Sequence, residues 1–212
     1  MNRIISVCAI ALTTLALGAC SAPSIDEQPA EEFATEGLHP VSGTGFESAY
    51  VLPAANLPQY TAIEFPPFSS ADVEVTQTTV TGTSRSAWIM TPEKEAGLAQ
   101  AWSNATGHAF RDYPRDGEKK VLRVESQLLR VSPGHSATTS TVAAGSSAPG
   151  SRDVVNVSAE FRIYDQAGGQ LLAVVRDRQT IAALQWTRAA GVDMANLFNS
   201  WAALLHTRIS GR

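Results

Sequence analysis

Apolar and polar side chains alternate most regularly between Asp153 and Tyr164. Val155, Val157, Ala159, Phe161 and Ile163 fall on one side, and Asn156, Ser158, Glu160 and Arg162 on the other. A period of two is that of a strand with one buried and one wetter face. Asp165-Gln166-Ala167-Gly168-Gly169 is turn chemistry, and Gln170 to Thr180 returns as the partner strand of a hairpin. The same alternation predicts strands over Tyr60 to Phe65, Val73 to Val80 and Lys120 to Val131, the second of them an edge strand. Two segments carry helical spacing instead. Thr91 is placed to cap a helix, Pro92 suits its first position, and Leu98, Ala101, Trp102 and Ala105 form its apolar stripe, with Thr106-Gly107 as its end. A last helix spans about Gly191 to Arg208, with Asp193 as cap and Leu197, Trp201, Leu204 and Leu205 as its stripe. The fold class is therefore α+β. The pattern predicts a single domain with a mostly antiparallel sheet, in the order strand, helix, three strands, helix. The two helices cover one face and leave the other half wet.

Three stretches lack such periodicity. Residues 132–152 are rich in Ser, Thr, Gly, Ala and Pro, and are expected to form a mobile loop. Residues 20–44 hold Pro23, Pro29, Asp26, Glu27, Glu31, Glu32 and Glu36, the composition of a flexible tether, with Phe33 and Leu38 as the two residues through which it could instead pack locally on the domain. A coil of that length reaches on the order of 25–30 Å. Ahead of it, Arg3 precedes an apolar run from Ile4 to Leu17, which closes on Leu17-Gly18-Ala19-Cys20. Positive start, apolar middle and small-residue exit make a secretory signal peptide over residues 1–19. The run is shorter than the roughly 20 apolar residues of a membrane span. A cysteine at the exit supplies the sulfur that carries lipid, so the leader looks like a bacterial lipoprotein signal, cut between Ala19 and Cys20. One acyl chain gives only marginal attachment at about 0.8 kcal/mol per methylene, whereas several chains, palmitate among them, hold a protein on a membrane. Ser21 stands where lipoproteins retained in the inner membrane carry Asp. By this resemblance to lipoproteins, the domain, residues 45–212, is expected on the periplasmic face of an outer membrane.

Composition narrows the chemistry. Of two cysteines, Cys8 leaves with the leader and Cys20 is consumed by lipid, so no thiol remains for a disulfide, a metal or a nucleophile. The formal net charge of −4, with no cluster of Lys and Arg, argues against nucleic acid and against electrostatic binding to anionic lipid.

The segments Gly45-Phe46-Glu47-Ser48-Ala49-Tyr50-Val51-Leu52 and Leu57-Pro58-Gln59-Tyr60-Thr61-Ala62-Ile63 resemble the opening of a family of proteobacterial envelope lipoproteins. That family is the domain of unknown function numbered thirty-three thirteen. The hairpin Ala159-Glu160-Phe161-Arg162-Ile163-Tyr164-Asp165, with Gly169 to Ala173, is similar to its late strand pair. Phe198-Asn199-Ser200-Trp201-Ala202-Ala203-Leu204-Leu205 resembles its closing helix. The resemblance implies a lipoprotein with a single α+β domain; the family carries no activity to transfer.

The residues themselves assemble no catalytic set and imply no cofactor. His39, His108, His135 and His206 lack ligand spacing, so no metal is expected. Asp112, Asp116 and Glu118 could serve sugar hydrolysis as paired carboxylates, but beside Arg111, Arg115, Lys119 and Lys120 they fit exposed ion pairs better. Trp102 and Trp201 fall on helical stripes, whereas Trp88 and Trp186 lie in connecting segments near Arg85 and Arg188. Packing under a loop is the ordinary reading of both; aromatics beside arginine are also enriched in binding surfaces, which makes Trp88 and Trp186 the candidate partner surface. Two functions follow, beside a purely structural surface protein. One is a non-enzymatic lipoprotein that binds an envelope protein or peptidoglycan. The other is a hydrolase of cell-wall glycan or peptide.

Overall fold

A computed structural model describes residues 23–75, 89–135, 153–182, 186 and 192–212. The leader, Cys20, Trp88, most of the Val73 to Val80 segment and residues 136–152 lie outside the described residues. Eight strands form one mixed sheet: β1 (Ser24–Ile25), β2 (His39–Ser42), β3 (Ser48–Val51), β4 (Ala62–Glu64), β5 (Glu74–Val75), β6 (Val121–His135), β7 (Asp153–Asp165) and β8 (Leu171–Ala182). Helix α1 spans Pro92–Ala109 and α2 spans Val192–Ser210. The spatial order is β1-β2-β3-β8-β7-β6-β4, with β5 also on β6. All pairings are antiparallel except β4 and β5 on β6. The α+β class and its single domain follow the alternation that predicted them.

The apolar side of the alternation makes the core. Val124, Leu128, Val155, Val157, Phe161 and Ile163 are buried against Leu98 and Trp102 of α1 and Leu197, Phe198, Trp201 and Leu205 of α2. Trp102 stacks on Phe161 at 5.3 Å between ring centres, and Trp201 meets the same ring edge-on at 5.6 Å. Thr91 caps α1 by accepting from the Lys94 amide at 3.3 Å. The helix does not stop at Thr106-Gly107. A Gly inside a helix costs about 1 kcal/mol, and burying Phe110 beyond it offsets that, with the Phe110 amide bonded to the Thr106 carbonyl at 2.9 Å.

Three expectations are corrected. The segment from Pro23 to Thr44 is not a free tether, and order does not begin at Gly45. β2 pairs with β3, the Glu31–Phe33 turn is a 3-10 helix, and Phe33 and Leu38 are buried with Val174. Two apolar anchors and a short backbone ladder suffice, and neither produces periodicity. Residues 132–135 are not part of the expected loop, because β6 continues to His135, paired opposite Asp153 to Asn156. Trp186 offers no surface: it is 0% exposed and belongs to the main core, with the half-buried Lys94 ammonium 5.1 Å from its ring centre.

Candidate functional site

The sheet face turned away from the helices carries a ladder of charge. Its sequence origin is the polar half of each alternation. In register, Glu160 of β7 stands opposite Arg176 of β8, and Glu125 of β6 opposite Arg162 of β7. Register brings Arg176 to Glu160 across the two strands, whereas Arg162 reaches Glu160, and Arg123 reaches Glu125, from two residues away on the same strand. Glu160 is 5% exposed and accepts from Arg162 Nε and Arg176 Nε, both at 2.6 Å. Arg176 also donates through Nη1 to Glu32 at 2.8 Å, and its guanidinium lies 5.4 Å from the Phe33 ring centre. Arg178–Glu47, Arg123–Glu125 and Arg130–Glu74 flank this chain, each at 2.7 Å. A carboxylate with 5% exposure is tolerable because both its oxygens meet arginine.

The ion pairs shift the titrating groups of the ladder in the directions their partners dictate. Burial pushes the Glu32 carboxyl up, but hydrogen bonds from Arg176 and Tyr50 outweigh it and hold it below the usual carboxylate range. The same Glu32 bond, with burial, raises the Tyr50 phenol. The bond to Glu160 raises Arg162 above the usual guanidinium value. A general acid needs a carboxyl raised toward neutrality, and this ladder holds Glu32 the other way. What it does provide is a set of arginines in fixed orientations. Both Arg162 and Arg176 spend Nε on Glu160, which locks the fork while the Arg162 side chain as a whole remains 41% exposed.

On the helix side, Asp177 is buried and accepts from Trp201 Nε1 at 2.7 Å, Gln179 Nε2 at 2.7 Å and the Glu47 amide at 3.2 Å. Three N–H donors satisfy the carboxylate, which ties α2, β8 and the entry to β3 together. Tyr60 donates its hydroxyl to Asp165 at 3.1 Å; burial first, then that carboxylate, pushes its phenol up to about 12.

The carboxylates singled out for sugar hydrolysis do not converge. Asp112 accepts from Arg115 at 2.6 Å and pairs with His206 at 2.8 Å, and Glu118 lies 3.8 Å from Lys120. Burial pushes the Asp112 carboxyl up, while Arg115 and His206 bring it below the ordinary range. Among the described residues no three His, Cys, Asp or Glu side chains gather as metal ligands. Sequence reading missed the ladder because Glu160, Arg162 and Arg176 look like any solvated strand face, and Glu32 comes from the segment taken for a tether. The one available signal was the run of alternating opposite charges on adjacent strands of a hairpin. Cys20, Ala19 and Trp88 lie outside the described residues. No family model, curated protein or solved structure matches this chain.

Proposed function

We propose that this protein is a lipid-anchored binding module of the bacterial envelope, held through Cys20 on the periplasmic face of the outer membrane. The observation that carries this reading is the leader: Arg3, the apolar run Ile4 to Leu17, and Leu17-Gly18-Ala19-Cys20. The resemblance to the envelope lipoprotein family numbered thirty-three thirteen points the same way. Among the described residues no helix is long and apolar enough to cross a membrane, so attachment in this proposal rests on lipid. The arginine ladder is the surface offered to a partner, an envelope protein or peptidoglycan, and the module does no chemistry on it.

The ordered N-terminal segment changes how such a module is held. Ser24 already belongs to β1. Four residue steps at about 3.6 Å each place the Cys20 sulfur's backbone within about 14 Å of Ser24. The domain is thus held against the bilayer, not suspended tens of ångströms below it. Fractionation of cells producing the full chain tests the anchor. Native protein is expected in the outer-membrane fraction and Cys20→Ser in the soluble periplasm; equal distribution of the two would refute the anchor. Crosslinkers at Arg178 and at Ser103 of α1 test the surface. Adducts confined to Arg178 are expected, and adducts only at Ser103 would move the partner to the helix side.

A further inference from the structure

An apolar cavity of about 220 Å³ opens between the β1–β3 edge of the sheet and the last turns of α2. Its walls include Val41, Phe46, Val175, Leu205 and Ile209, and its lining extends to Pro23 and Ile25. Ile25 is 49% exposed, one of the few large apolar side chains left in water among the described residues. One cation stands in the lining: Arg208 donates to the carbonyls of Thr44 at 2.6 Å and Gly43 at 3.2 Å. A largely apolar hollow with a polar group in its wall suits a hydrocarbon chain with an ester head. Those two bonds leave the guanidinium further N–H donors for ester oxygens.

We propose that this cavity holds part of one acyl chain of the lipid carried by Cys20. The inference rests on the lipid-anchor reading above. Its independent support is position: the described chain begins at Pro23, which itself lines the cavity. Cys20 is three residues upstream, within about 11 Å of Pro23 even if fully extended. Few points on the surface are in reach of that sulfur, and an apolar hollow is among them. Drawing one chain of several out of the bilayer and into the domain fixes the orientation of the module. Burial of methylenes in the cavity replaces burial in the membrane, so the exchange costs little.

The test compares purified full-length lipidated protein with Cys20→Ser, using cis-parinaric acid, a fatty acid that fluoresces in dry surroundings. With the cavity vacant, Cys20→Ser takes up the probe; the lipidated form, whose cavity is filled, binds it at least about tenfold more weakly, a difference of about 1.4 kcal/mol. Within Cys20→Ser, adding Ala49→Phe fills the hollow and abolishes uptake. Adding Ile25→Glu at an exposed position weakens uptake without lowering the melting temperature, which covers the case in which Ala49→Phe fails to fold. No uptake by Cys20→Ser, or uptake unaffected by Ile25→Glu, overturns the cavity as an acyl site. Equal uptake by the lipidated form and Cys20→Ser overturns the Cys20 lipid as its occupant. The mass of the N-terminal peptide separates the two proposals. Acylated Cys20 with equal uptake defeats only the occupant, whereas acyl-free Cys20 defeats the anchor, and the occupant with it.

Discussion

The two faces of the sheet bury apolar surface on very different scales. On the helix side, Trp102, Trp186, Trp201, Phe161 and Phe198 are all fully or almost fully buried in one continuous core. On the other side, burial is confined to Phe33, Leu38 and Val174, with Tyr50 and Leu171 packed around them, beside the Glu160 ladder. The first region is held by area and the second by a few anchors and by charge. Long stripes at a fixed period are needed to build the former, so the sequence advertises it. A strap with two anchor points needs no period, so it resembles disorder. The helix side therefore carries most of the apolar burial, and the other face carries the charge.

The comparison breaks most visibly at Trp201. Trp201→Ala removes the largest packing element of α2 and one donor to buried Asp177, and is expected to cost about 3–5 kcal/mol in urea unfolding. Trp186→Ala belongs with it at a similar size, because Trp186 is core; an unchanged midpoint would return that side chain to the surface. The strap comes next. Leu38→Ala is expected to cost about 2–3 kcal/mol, since Leu38 is wholly buried. A free tether would show no change at all, so this variant tells a strap from a tether directly.

Charge effects are smaller. Glu160→Gln leaves Arg162 and Arg176 facing a neutral amide. Breaking a fully buried pair costs about 3–5 kcal/mol, but both arginines are partly exposed, so about 1–2 kcal/mol is expected. The smallest effect is that of Glu32. Its carboxyl is held below the ordinary value in the folded chain, so it contributes stability above the unfolded pKa of about 4.3 and loses it as pH falls through the lower, folded value. Glu32→Gln is therefore expected to be less stable than the native chain by a few tenths of a kcal/mol near neutrality. The gap should close below about pH 4. A gap that widened on acidification would reverse the sign of the argument.

Much of the fold was legible. The 153–182 hairpin, β6 and both helices follow directly from side-chain period, and Thr91-Pro92 marks the start of α1 where it occurs. The parallel joining of β4 to β6 was not legible, because pairing direction depends on how the chain crosses over α1 and not on the pattern within a strand. β3 was missed because four residues, Ser48 to Val51, are too few to show alternation. The ladder was legible only as charge on a wet face. Its geometry depends on the register that sets Arg176 opposite Glu160, on Arg162 two residues along the same strand, and on Glu32 arriving from a segment more than a hundred residues away. Trp186 misled because a tryptophan flanked by polar neighbours can still turn inward when the core has room for it.

The central claim, that a folded strap delivers a lipidated cysteine to the edge of this domain, is tested most directly by mass spectrometry of the N-terminal peptide from protein purified out of its native membrane. The account predicts a chain that starts at Cys20 and carries the mass of a diacylglyceryl group with an acylated amine. A chain that still holds residues 1–19, or a Cys20 of ordinary mass, would contradict it.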